Sequence, residues 1–263
     1  MDPSTSITPP NWQDAIDSAK ALSALVSPFN AALSEFITVD ERCILLKQRA
    51  SLLAHARDQA PVVLITGQSG SGKELFAKAL HQPAHLPFVA LNLGSLPTTL
   101  YQALLFGHAK GTFTGAHDDK AGAIAAAKNG TLFLDEIGDM PMDQQASLLR
   151  VLENWTYSVL GEYIERPINC RIVAATNVNL PQAVAEGRFR ADLYARLFGF
   201  TLNIPPFSER VPDIYSICQY YGLPSEQATQ LVTYHMPAIE RYGVRFIKAA
   251  ANSWTTFREI PSV

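Results

Sequence analysis

The sequence predicts an α/β protein, a mostly parallel sheet sandwiched by helices, with a small helical region at its C-terminal end. Three observations predict it. Short apolar runs of strand length alternate with helix-compatible segments between residues 61 and 204. The first of these runs passes straight into a glycine-rich turn and then a helix. Beyond Pro205-Pro206 no strand-like run occurs.

Taken in order, residues 1–10 are rich in Ser, Thr and Pro and read as loose, and residues 11–36 carry apolar positions at helical spacing (Ala15, Ala19, Leu22, Leu25, Val26), broken by Pro28. Glu41 to Ala60 reads as a second helix. Pro61 to Thr66 is the first strand and Leu75 to Leu80 the helix after the glycine-rich turn. Phe88 to Asn92, Leu132 to Asp135, Arg171 to Thr176 and Thr201 to Ile204 follow as strands two to five, with helical stretches such as Asp143 to Glu153 and Leu193 to Phe198 between them. Strands separated by helices argue for parallel pairing. The expected organisation is an extension over 1–40, a core over 41–206 and a shortened helical lid over 207–263.

At 263 residues, the chain fits one large or two modest domains with ample core. No run approaches the roughly 18 apolar residues of a membrane span, and the first residues lack the basic-then-apolar layout of a secretory signal. Cys43, Cys170 and Cys218 are scattered, odd in number and without metal spacing, which points to a reducing cytoplasm. A net charge of −3 predicts no strong nucleic-acid surface.

The turn after the first strand reads Gly67-Gln68-Ser69-Gly70-Ser71-Gly72-Lys73-Glu74. Its glycines let several backbone N–H groups converge on one anion; the helix N-terminus adds its positive dipole end, and Lys73 a full charge. Together these predict a nucleoside triphosphate site. The Ser or Thr that usually follows the lysine is replaced by Glu74. Downstream, Asn129-Gly-Thr-Leu-Phe-Leu-Asp135-Glu136 delivers two adjacent carboxylates to the end of a strand. Asp135 can supply an oxygen ligand to a divalent cation on the phosphates, and Glu136 can orient and polarise water. The plainer use of such a pair is to cap the next helix.

In order, these motifs resemble the central AAA+ ATPase of bacterial enhancer-binding proteins, the NtrC-like activators of sigma-54 RNA polymerase. The most specific stretch is Leu105-Phe-Gly-His-Ala-Lys-Gly-Thr-Phe-Thr-Gly-Ala116. The family's loop reads GAFTGA; here it is Gly111-Thr112-Phe113-Thr114-Gly115-Ala116, with Thr112 in place of alanine. A glycine-bounded loop displaying one aromatic suits a mobile finger that presses Phe113 into a partner. The likeness runs from about Glu41 to Pro212. It explains Glu74, since the family commonly has glutamate there. It implies ATP and Mg²⁺ as cofactors, Asp135 as the metal ligand and Glu136 as the catalytic carboxylate. It further implies Asn92 as the residue that holds Glu136 inactive, Asn177 as sensor I, and Arg190 and Arg196 as arginine fingers offered to a neighbour in a hexameric ring. Spacing alone reads those two arginines as a solvated helix face.

The sequence also departs from the family. No helix-turn-helix candidate precedes Val263, and some forty residues ahead of the core are too short for a receiver domain, so no sequence-specific DNA-binding domain is expected. The family's Trp-Pro-Gly-Asn-x-Arg-Glu segment appears as Trp254-Thr-Thr-Phe-Arg258-Glu259, which makes Arg258 the expected sensor II residue of a shortened lid. Two other readings stay open: a regulatory subunit that joins or poisons hetero-rings of a fuller activator, and an AAA+ remodeller of another protein.

Overall fold

A computed structural model describes residues 31–56, 62–94, 100–252 and 254. The helical spacing read over Ala15 to Val26, and Arg258, lie outside the described residues. In chain order the helices are α1 (Glu41–His55), α2 (Lys73–Leu80), α3 (Tyr101–Phe106), α4 (Ala123–Ala126), α5 (Met142–Asn154), α6 (Leu180–Ala185), α7 (Ala191–Leu197), α8 (Val211–Tyr220), α9 (Ser225–Tyr242) and α10 (Val244–Asn252). The strands are β1 (Val62–Thr66), β2 (Phe88–Asn92), β3 (Gly107–His108), β4 (Lys120–Ala121), β5 (Thr131–Asp135), β6 (Thr156–Ser158), β7 (Glu165–Pro167), β8 (Arg171–Thr176) and β9 (Thr201–Asn203).

Five strands form one sheet in the order β2-β5-β8-β1-β9, every pairing parallel. Burial explains their sequences. The central strands β5, β8 and β1 are covered on both faces and read as continuous apolar runs, Thr-Leu-Phe-Leu, Ile-Val-Ala-Ala and Val-Val-Leu-Ile. The edge strand β2 has no fully buried position, only half-buried and exposed ones. The Glu41 helix ends at His55, and residues 57–60 of the expected helix lie outside the described residues. Two antiparallel hairpins, β3–β4 and β6–β7, are additions that the strand-length patterns did not announce, since their arms are only two or three residues long.

The chain divides into two compact units. One comprises Arg49–Gln68 and Lys73–Ile204 and holds the sheet; the other comprises Met1–Gln48, Ser69–Gly72 and Pro205–Val263. In the sheet unit, Leu132, Leu134, Ile172, Ala174, Leu148, Leu152, Leu193 and Leu197 belong to one buried cluster. In the second unit, α8, α9 and α10 bury Ile214, Ile217, Cys218, Leu231, Ile239, Ile247 and Ala250 around Phe207. Helix α9 bends at His235 (φ −126°, ψ 19°), two residues before Pro237, whose ring lacks the N–H a straight helix needs there. Asp213 anchors the chain ahead of α1: it accepts from Thr38 Oγ1 (2.8 Å) and the Val39 and Asp40 amides (2.6 and 3.0 Å), and it pairs with Arg210 (3.1 Å).

Candidate functional site

Because β2, β5, β8 and β1 are parallel, their carboxyl ends share one edge of the sheet, where open α/β sheets take ligands. That edge collects Gly67 and Gln68 after β1, Asn92 at the end of β2, Asp135 and Glu136 at the end of β5, and Asn177 after β8. Asn92 lies directly opposite Asp135 in the ladder. Asn177 is exposed, and the chain turns after it through a bond from the Val178 amide to Thr176 Oγ1 (3.0 Å).

Lys73 opens α2 and its Nζ donates to the carbonyls of Gly67 and Gln68, each at 2.9 Å. Burial lowers the pKa of its ammonium, while the Asp135 and Glu136 carboxylates push it back up. The same desolvation raises the Asp135 carboxyl, opposed by the Glu136 N–H that it accepts (3.0 Å) and by Lys73. One ammonium and two carboxylates therefore sense each other at the sheet edge. Glu136 itself is held in the left-handed region (φ 54°, ψ 42°), which costs a non-glycine residue about 1–2 kcal/mol. Such strain gathers where a side chain must be aimed. Its carboxylate lies over Gly94: a Cβ there would sit 2.5 Å from Glu136 Oε2.

Between β1 and α2 the chain turns through Gly70 (φ 70°) and Gly72 (φ 104°). Gly70 also makes a close approach that no side chain would permit, since a Cβ would lie 2.6 Å from the Tyr242 carbonyl and 2.8 Å from Gly243 Cα. The buried Ser71 hydroxyl has no partner among the described residues, and the Ser71 carbonyl accepts from Arg210 Nη2 (3.3 Å). Arg210 is fully buried and stacks on Phe207 at 3.9 Å. In the sheet unit, a lysine at the helix start beside two carboxylates fits a phosphate group and its cation; in the other unit, the Ser71 hydroxyl is an unused donor on a positive-φ turn. Arg245 lies two residues past Gly243, in the first turn of α10. Arg245 is exposed and has no ion pair among the described residues. Its signal in the sequence is the segment Gly243-Val-Arg245, eleven residues ahead of the Trp254 stretch.

Arg190 is the N-cap residue of α7 and pairs with Asp192 (2.7 Å). Arg196 is exposed near the end of that helix, with Nε on the Leu152 carbonyl (3.0 Å). The structure brings these two together on α7; among the described residues, their side chains bond Asp192 and the Leu152 carbonyl, not the glycine-rich turn or Asp135 and Glu136.

Gly111 to Ala116 form the tip between β3 and β4. The Gly111 amide bonds the Ala116 carbonyl (2.8 Å) and the Ala116 amide bonds the Phe113 carbonyl (3.0 Å). Phe113 is 38% exposed and leans on His108, ring centroids 4.9 Å apart. Thr112 is not a passive replacement for alanine. Its hydroxyl donates to the carbonyls of Ala109 (2.5 Å) and, on the β6–β7 hairpin, Leu160 (3.2 Å). The Ala109 amide bonds the same Leu160 carbonyl (2.9 Å), so the two hairpins are tied side by side. Thr114 and Gly115 complete the tip, both exposed.

The chain is 52% identical over 155 residues to the transcriptional regulatory protein GlrR of Escherichia coli strain K12, an alignment covering 58% of this chain and 35% of that protein. It is 48% identical over 162 residues to the DNA-binding transcriptional regulator NtrC of the same strain (60% and 34% of the two chains). It is 44% identical over 208 residues to the anaerobic nitric oxide reductase transcription regulator NorR of Serratia proteamaculans (77% and 40%). The chain thus spans roughly a third to two-fifths of the length of these relatives. The crystal structure of NtrX from Brucella abortus in complex with ATP superposes with a TM-score of 0.69 at 26% identity, over 95% of this chain and 59% of that one. Residues 40–203 match the sigma-54 interaction domain, and on that match the chain belongs to the NtrC-like family of AAA+ sigma-54 activators.

Proposed function

We propose that this chain hydrolyses ATP at the boundary between copies of itself in a hexameric ring, and uses the reaction to drive the Gly111–Ala116 loop against sigma-54 RNA polymerase. In this reading Lys73 and the loop from Gly67 to Glu74 hold the phosphates, with the Ser71 hydroxyl as a further donor. Mg²⁺, held by Asp135, would neutralise charge on the phosphate oxygens. Glu136 orients and polarises the attacking water, and Asn92 and Asn177 flank it on the same sheet edge. Arg190 and Arg196 serve the neighbouring copy and stabilise charge on the transferred phosphoryl group. Fingers of this kind contribute about 10³–10⁵ in rate in well-studied enzymes. Arg245 stands as a second candidate beside Arg258 for the phosphate-sensing arginine, because it follows the corner that touches Gly70.

The observation that carries the proposal is a half-exposed Phe113 at the tip of a hairpin in the unit that also holds Lys73, Asp135 and Glu136. The test has two arms. Specific ATPase activity should rise with protein concentration and fall by about 10³-fold in Arg196→Ala. Sigma-54 should be captured by wild type only with a transition-state analogue of ATP, and not by Phe113→Ala. Activity independent of concentration and indifferent to Arg196 would reject the shared site. Capture in no nucleotide state would reject the partner.

A further inference from the structure

Helix α5 lies between the two ends of the proposed chemistry. Its N-terminal side follows Glu136 through the short 3-10 turn Ile137–Asp139 and Met140; its flank carries α7 and the arginines. At the start of this helix sits Gln145, a completely buried polar side chain (0% exposed). Its carboxamide is used on three sides. Nε2 donates to the Met140 carbonyl (2.7 Å) and to the Arg188 carbonyl (3.0 Å), and Oε1 accepts the Arg190 amide (2.8 Å). Met140 ends the turn that begins at Glu136, and its amide closes that turn on the Ile137 carbonyl (3.3 Å). Arg190 is the residue from which α7 starts. One rigid amide plane thus spans the catalytic-carboxylate turn and the backbone that launches the arginine segment. Near the other end of α5, the Leu152 carbonyl holds Arg196 Nε (3.0 Å).

A buried amide costs desolvation, and an apolar residue would fill the same helix face without it. Leu148, Leu149 and Leu152, three, four and seven residues on, are the apolar occupants of that face. A glutamine there, with both kinds of polar atom used on backbone groups from two separate segments, fixes the position of one segment against the other. We infer that Gln145 is the positioning residue for the arginine segment: it sets where Arg190 is offered, relative to the Glu136 turn of the same copy. The inference rests on the shared-site reading above. In a ring, each copy would use Glu136 on its own nucleotide and lend Arg190 and Arg196 to the next, so Gln145 would matter on the lending side.

Mixed assemblies separate these roles. Donor subunits carry Glu136→Gln, so they bind nucleotide and lend arginines but do not turn over. Acceptor subunits carry Arg190→Ala and Arg196→Ala, so they keep an intact carboxylate but lend nothing. ATP turnover in the mixture then reports only sites where a donor's arginines meet an acceptor's nucleotide. Adding Gln145→Met to the donors should lower that turnover about tenfold or more, since catalytic groups misplaced by about 1 Å lose up to 10²-fold. Adding it to the acceptors should lower it far less. Gln145→Asn, which keeps donor and acceptor on a shorter side chain, should fall between wild type and Gln145→Met in donors, and it serves should Gln145→Met fail to fold. Nucleotide affinity and ring formation of each mixture are measured alongside. Equal losses from donor and acceptor placement, or no loss in donors, would overturn the inference. A mixture with no turnover before any change at Gln145 would instead reject the shared site itself.

Discussion

Glu136 and Gly94 fix each other's place at the sheet edge, and on the proposed reading that placement sets the chemistry. Glu136 is aimed by a left-handed backbone at the end of a buried strand, and its carboxylate occupies space that only a glycine at position 94 leaves open. The flexible carboxylate, not the backbone, would give way to a new methyl group. Gly94→Ala should therefore lower kcat by about tenfold with little change in nucleotide affinity or melting temperature. Steady-state kinetics beside a thermal scan checks this, and an unchanged kcat would show that the space over Gly94 does not matter to Glu136. The Asp-Glu pair and Lys73 are legible in sequence because their spacing from strand ends is fixed by covalent geometry. Gly94 is not, because the atom it makes room for comes from a strand some forty residues away.

Elements decide what the finger loop can do. The β3–β4 and β6–β7 hairpins have arms too short to hold themselves in isolation and are joined through the Leu160 carbonyl. Thr112 supplies the side-chain part of that joint. Thr112→Val keeps the shape but removes the hydroxyl, a loss of about 1 kcal/mol for one hydrogen bond. Hydrogen exchange at the Ala109 and Gly111 amides should quicken by about fivefold, and Thr112→Ser should restore the slower rate. Equal exchange in all three proteins would mean that the backbone alone joins the hairpins. The family loop was readable from its six residues, whereas the β6–β7 hairpin beside it was not. Its strands are three residues each, too short for an alternating run to be told from chance.

Across the whole molecule, the three thiols report on integrity rather than on chemistry. Cys43, Cys170 and Cys218 are all buried, and none of them forms a disulfide. Burial pushes the Cys43 thiol up to about 11 and the Cys218 thiol up to about 12, so neither forms thiolate at neutral pH. A disulfide reagent should find no reactive thiol in the native protein and three after denaturation; rapid labelling of the native chain would show that a unit opens readily. Among the described residues no helix is long and apolar enough to cross a membrane. The sequence by itself determined the parallel sheet, the glycine-rich turn after β1, the Asp135-Glu136 pair at a strand end and the family's six-residue Gly111–Ala116 stretch, because each is local: an apolar run of strand length, glycines at a turn, or carboxylates at a strand end. Only the tertiary structure decided that Gln145 spans the Glu136 turn and Arg190, that Gly243 meets Gly70, and that Thr112 bonds a second hairpin. Those are long-range contacts made by hydrogen bonding and close approach, and neither composition nor period along the chain specifies which distant backbone group a buried amide or a glycine will meet.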